Sequence, residues 1–289
     1  MTPTRRWHPW AMLAPTLAVL FVFFVFPIGV ALYESFFSWD MLTPPRWVGG
    51  ANYAALAARG ELLHVALRTL AFSAMVVAGA MSLGLALAVL VNRDGRFFAF
   101  VRGAIFSAYV VSWVAVALLW TWMLDPDAGV VGALVRAAHL PRIGFLTDPD
   151  AALATLAAVT VWKITGYAMI VFLAGLQSVP ADLLEAAALD GAPRFARFRY
   201  VVWPLLRPTA AFVGTTSLVI SFQAFDVVRI MTQGGPARST TLFVYAIYEQ
   251  VFLNLSVGRA SALTIVFLAV LLALTGLQLR AWRERGMAR

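Results

Sequence analysis

Six apolar stretches, each about twenty residues or longer, constrain this chain more than any other feature. They run approximately over 11–33, 69–91, 102–124, 152–176, 205–231 and 260–279. A bilayer core about 30 Å thick takes roughly 20 residues of helix, and without water the backbone must satisfy its own hydrogen bonds. Only 12% of residues are charged and 62% are hydrophobic, whereas a soluble domain carries about 25% charge. That composition excludes an ordinary soluble enzyme. No polar linker divides the 289 residues, so the sequence predicts one all-α polytopic membrane domain over 1–289, with six transmembrane helices.

The net charge is +8. Its basic residues lie between the apolar runs rather than in a patch, so they read as topology signals and not as a nucleic-acid surface. Thirteen arginines (5, 6, 93, 96, 102, 194, 197, 199, 207, 280, 283, 285 and 289) flank one side of the expected membrane. Seven (46, 59, 68, 136, 142, 238 and 259) flank the other. The imbalance places both termini in the cytoplasm. Arg5 and Arg6 before the first stretch also fit a signal peptide, but the run exceeds the usual apolar core of about 7 to 15 residues. It also contains Pro15 and Pro27, and it reads as a retained span. Trp7, Trp10, Trp39, Trp47, Trp120, Trp122, Trp203 and Trp282 fall near expected span ends, where an amphipathic ring suits the headgroup layer.

Catalytic chemistry is poorly provided for. Cysteine is absent, and His8, His64 and His139 have no companions at metal-ligand spacing. TDPD (147–150) and LDPDAG (124–129) read as turns rather than paired catalytic carboxylates. The expectation is therefore no catalytic residue, no metal and no cofactor on this chain. A G-x-x-x-x-G-K-[ST] loop is also missing, so ATP is not expected to bind here. The halves of the chain show no convincing match to one another, which argues against an inverted-repeat secondary transporter.

The fourth connection, Ser178 to Pro208, faces the cytoplasm and is too rich in helix signals for a passive turn. Pro180 suits the first turn of a helix and Asp182 complements its positive end. Leu183, Leu184, Ala186, Ala187 and Ala188 favour helix. Gly191 can adopt the left-handed conformation that closes it, and Pro193 can start a second helix. In that second piece Phe195, Phe198 and Val202 share a face by spacing.

These residues resemble the cytoplasmic signature of the membrane permeases of binding-protein-dependent ABC importers, an E-A-A triplet followed by a glycine and later a Leu-Pro-like ending. Here it reads Glu185, Ala186, Ala187, Ala188, Leu189, Asp190, Gly191, Ala192, continuing to Phe198, Val201, Trp203 and Pro204. Trp203 stands where the family commonly has Leu. WVGGANYAAL (47–56), VWKITGYAMIVFLAGLQSVP (161–180) and FDVVRIMTQGGPARSTTLFVYAIYEQVF (225–252) look like the carbohydrate-uptake subfamily. Within the last, Gly234, Gly235 and Pro236 followed by Ser239 and Thr240 form its most recognisable outer loop.

The resemblance implies half of a translocator. Its partners would be a second homologous permease, two cytoplasmic ATPase subunits carrying ATP and magnesium, and an external solute-binding protein. It further implies that 180–200 is the segment seated on the ATPase, with Glu185, Ala186, Ala187, Asp190, Gly191, Phe198 and Pro204 as coupling residues. The expected cargo is a sugar, an oligosaccharide or a polyol derivative, with an anionic solute such as glycerol 3-phosphate as the alternative.

Polar residues inside spans are functional candidates by default. Lys163, about 11 residues into the fourth stretch, is expected near mid-membrane, with a structural ion pair to a carboxylate slightly favoured over solute contact. Asp226 and Arg229, three apart in the fifth stretch, can pair locally or line a polar solute path with Ser221 and Gln223.

Overall fold

A computed structural model describes residues 8–58 and 60–282. Arg5, Arg6, Trp7, Arg59, Arg283, Arg285 and Arg289, which carry part of the topology reading, lie outside the described residues. Among the described residues the fold is all-α apart from one minimal antiparallel pair, Phe37–Ser38 with Arg46–Trp47. Five helices among the described residues are long and apolar enough to cross a membrane, and a sixth crossing is counted if a sharply bent pair forms one span. The chain is thus a multi-pass membrane protein, as its composition requires.

Helix ends differ from the sequence expectation for identifiable reasons. The second span covers Glu61–Val91. Its 31 residues make about 46 Å of helix, longer than the hydrocarbon core, so its first turns carry Glu61, His64 and Arg68 beyond the apolar stretch. The fourth, Pro149–Gln177, begins where Asp148 accepts from the Asp150 amide at 2.9 Å, so TDPD is a helix start and not only a turn. The sixth covers Val257–Trp282.

Larger corrections concern the third and fifth stretches. Instead of one straight helix, the third is Arg96–Val110 followed by Trp113–Met123, with the two axes 98° apart. The fifth stops at Phe222, and after Gln223–Phe225 a separate short helix, Asp226–Met231, begins. At its other end the fifth span extends earlier than expected, because Arg194–Arg197, a π-helical turn at Phe198–Val202 and Trp203–Phe222 run on without a break. The first span (Met12–Glu34) likewise contains a π turn, at Phe21–Val25. In both places proline stands two residues past the π turn, at Pro27 and Pro204. A proline ring clashes with the carbonyl four residues earlier, and a locally wider helix accommodates it.

The chain divides into two compact units. One comprises the described residues up to His64 with Ala246–Val270. There the buried Asn52 donates to the carbonyls of Ser35 (2.8 Å) and Phe37 (2.9 Å), tying the WVGGANYAAL segment to the end of the first span. Phe36, Phe37, Trp47 and Tyr53 cluster around that junction. Gly258 packs so close that a Cβ would lie 1.8 Å from the Phe37 carbonyl oxygen.

The other unit comprises Val65–Tyr245 and the stretch from Leu271. Its core joins Ala88 and Val91 of the second span, Ala168, Met169, Phe172 and Leu173 of the fourth, and Leu206, Ala210 and Val213 of the fifth. Small residues set the spacing, as is usual where van der Waals packing drives helix association in lipid. A Cβ on Gly166 would meet the Ile105 carbonyl oxygen at 2.5 Å, and one on Gly84 would meet the Ala168 Cβ at 2.6 Å. Arg102 reaches across to donate to the carbonyls of Val91 (3.1 Å) and Arg93 (3.2 Å), satisfying the open end of the second span.

Candidate functional site

The 180–200 segment forms an elbow of two short helices. Pro180 stands immediately before the helix Ala181–Leu189 as its cap, one position earlier than the first-turn placement expected from sequence. Gly191 has φ +74°. Its amide donates to the Ala188 carbonyl at 3.1 Å, and that of Ala192 donates to Ala187 at 3.0 Å. These are the two bonds of a Schellman closure, so the bend is fixed by hydrogen bonds rather than by loop flexibility. Pro193 then caps Arg194–Arg197.

Beyond the elbow the chain is anchored on one side and open on the other. Phe198, Val202 and Trp203 pack against the Ala88–Leu206 core. Phe195, expected on the same face, is instead 77% exposed, because that core does not reach its turn. Leu189 is 90% exposed and Glu185 is also exposed, whereas Ala187 is half-buried. Asp190 ends the first helix, and Pro204 lies in the first turn of the fifth-span helix. Apolar and acidic groups of the elbow thus face outward, while residues of the following π turn pack against the core.

A second site forms where the two broken spans meet. Trp113, the first residue after the third-span break, lines a cavity of about 270 Å³ with Ile220, Gln223, Ala224, Phe225, Asp226 and Val227. Broken helices expose backbone and polar tips at membrane depth, which is tolerated only where they line a cavity or are buried in protein. Of the expected pathway residues, Gln223 and Asp226 are brought together here. Ser221 is fully buried and its hydroxyl turns back to the Leu218 carbonyl at 2.7 Å. Arg229 sits in the last turn of Asp226–Met231, outside the lining.

Lys163 also lies outside the lining, and its charge is met differently from the expected carboxylate. Its ammonium donates to the carbonyls of Ala108 (3.3 Å), Tyr109 (3.1 Å) and Val111, and stands 4.7 Å from the Trp113 ring centroid. Sequence reading missed Trp113 because the break before it has neither proline nor glycine.

The GGP loop is closed by its own polar groups. Thr240 donates to the Gly235 carbonyl at 2.7 Å and bonds the Thr232 hydroxyl at 2.8 Å, while Thr241 donates to the Gly234 carbonyl at 3.1 Å. Tyr245 donates to the Gln233 carbonyl at 2.9 Å. LDPDAG is the expected turn, with Asp125 accepting from the amides of Ala128 (2.7 Å) and Asp127 (2.9 Å). The Ala128 amide, then that of Asp127, hold the Asp125 carboxyl below the usual range.

Residues 80–289 match the family described as binding-protein-dependent transport system inner membrane component. The sn-glycerol-3-phosphate transport system permease protein UgpA of Brucella suis biovar 1 (strain 1330) is 34% identical over 283 residues, 96% of this chain and 95% of its own. A probable ABC transporter permease protein of Pyrococcus horikoshii is also 34% identical, over 285 residues and 96% of each chain. A bacterial ABC transporter involved in import of the acidic polysaccharide alginate contains a chain that superposes with a TM-score of 0.82 at 23% identity, covering 96% of both chains.

Proposed function

The chain belongs to the family of binding-protein-dependent transport system inner membrane components, and on that premise we propose that it forms half of the path for a sugar, an oligosaccharide or a polyol derivative. The UgpA relatives, matched along almost the whole chain, make sn-glycerol 3-phosphate the first solute to test. The observation that carries the reading is the 180–200 elbow, a hydrogen-bonded bend with exposed Leu189 and Phe195. Exposed apolar tips on a bend of fixed angle suit a groove on a partner protein.

In this reading a separate ATPase pair binds ATP and magnesium and grips Ala181–Leu189. Glu185 offers a two-oxygen acceptor to an arginine there, Ala186 and Ala187 allow close approach, and Asp190 with Gly191 sets the angle. Movement passes through Phe198 and Pro204 into the fifth span because Arg194–Phe222 is continuous. Cycling between inward-facing and outward-facing states then requires the ATPase to bind the two with different free energy. A second homologous permease completes the path, an external solute-binding protein delivers cargo, and both termini lie in the cytoplasm. The whole chain acts as one permease domain.

Solute contact is assigned to the Trp113–Asp226 cavity. An indole face with an amide and a carboxylate at its edge suits a polyhydroxylated solute, since hydroxyls can both donate to Asp226 and bond Gln223. A phosphate would meet Asp226 as a like charge unless Arg229, three residues on, offsets it.

The test is to copurify the complex with its binding protein and identify the carried ligand by mass spectrometry. A sugar, oligosaccharide or polyol phosphate is expected. An amino acid, peptide or metal would overturn the substrate class.

A further inference from the structure

We propose that Lys163 is a positioning residue: its ammonium pins the break in the third span and thereby fixes Trp113 in the wall of the solute cavity. The inference rests on the cavity assignment above for its functional half, but the pin itself rests on geometry alone.

Lys163 is 1% exposed, and a lysine at membrane depth is costly unless its charge is met. The end of Arg96–Val110 is costly for the opposite reason, since the last carbonyls of a helix have no partner within it and carry the negative end of its dipole. The two liabilities cancel. An ammonium has three N–H donors, and here they go to three carbonyls, those of Ala108, Tyr109 and Val111. No donor is left over for a solute. The same charge stands over the Trp113 ring at 4.7 Å and near the Tyr109 ring at 5.9 Å. Tyr109 in turn stacks on Tyr167, one turn along the helix from Lys163, with centroids 5.1 Å apart.

The fourth span therefore holds both sides of the break: carbonyls and Tyr109 before it, Trp113 after it. Since Trp113 is the third span's contribution to the cavity lining, the 98° bend and the place of the indole share one support. Lys163 affects solute affinity without touching solute.

The chain has no cysteine, so in a complex whose other subunits carry no reactive cysteine Phe100→Cys and Leu119→Cys, both at exposed positions on the two arms of the bend, give a unique spin-label pair. In the complete complex in lipid, Lys163→Met should shift and broaden the label distance and raise the transport KM for labelled sn-glycerol 3-phosphate about tenfold, equivalent to about 1.4 kcal/mol. Trp113→Leu should raise KM similarly while leaving the label distance unchanged. The double variant should be no worse than the poorer single, because both act through one indole.

An unchanged label distance in Lys163→Met overturns the pin. A shifted distance with unchanged KM overturns the link to Trp113, and so do multiplying KM effects. If the Met variant does not assemble, Lys163→Arg carries the same measurements, since it keeps the charge but replaces the tripod of donors with a planar fork. Failure of both to assemble assigns Lys163 to folding alone and overturns its positioning role. If the unsubstituted complex takes up no sn-glycerol 3-phosphate, the substrate reading fails, and the label distance still decides the pin.

Discussion

Replacing Gly191 tests whether the elbow angle matters, because its energetics separate cleanly. At φ +74° an L-residue is strained by about 1–2 kcal/mol, yet a Cβ there would meet nothing within 4 Å. Gly191→Ala thus incurs backbone strain without a clash. A strain of that size lowers the population of the formed bend roughly 5- to 30-fold relative to its alternatives. Asn tolerates the left-handed region and should fall short of that loss. Gly191→Pro is the severe case, since a ring fixed near φ of about −65° cannot reach +74° and the bond to the Ala188 carbonyl disappears, for a cost of about 3 kcal/mol or more.

Apparent affinity for the ATPase falls with the fraction of chains in the competent conformation. The expected order is therefore wild type, Asn, Ala, Pro, in ATPase docking measured by titration and in binding-protein-stimulated ATP hydrolysis. Insertion should be equal in all four, because Gly191 is exposed and lies outside the apolar runs. A Pro variant that docks and transports like wild type would refute the elbow as the lever.

Other substitutions test separate links. Reporter tags at both ends and within 51–60 should read cytoplasm, cytoplasm and exterior; a protease-accessible C-terminus on intact cells would reverse the orientation. Gly166→Ala should lower thermal stability by about 1–3 kcal/mol, because its Cβ would press on backbone at Ile105, whereas Gly103→Ala, with open space around it, should be neutral or slightly stabilising. Asp226→Asn should weaken uptake of a neutral sugar but spare or improve that of a phosphorylated solute; equal loss for both would remove Asp226 from the solute path.

The elbow was legible in the sequence because each of its parts is local. Glycine and proline fix backbone angles by their own covalent structure, so Gly191 and Pro193 reveal a bend without knowledge of any partner. The span count was legible for the same reason, since hydrocarbon thickness dictates run length. The two breaks were not legible. Gln223–Phe225 has no helix breaker, and Val111–Ser112 is held open by an ammonium from Lys163, more than fifty residues away. A long-range hydrogen bond leaves no periodic trace, and the one available signal was an isolated lysine in an apolar run. Such a lysine suggests half of an ion pair, because charges in spans usually find charges, but helix-end carbonyls answer the same need. Trp113, which lines the cavity, therefore left no signal in the sequence.

On the proposed function, this chain moves solute only when a separate ATPase acts on the 180–200 segment. Proteoliposomes containing the chain alone, the chain with its partner permease, and the full complex with ATPase, ATP and solute-loaded binding protein compare the possibilities directly. Accumulation of labelled sn-glycerol 3-phosphate or of the identified ligand is expected in the last alone, and its loss is expected when ATP is withheld. Accumulation by the chain alone under an imposed ion gradient, with no ATPase present, would contradict it.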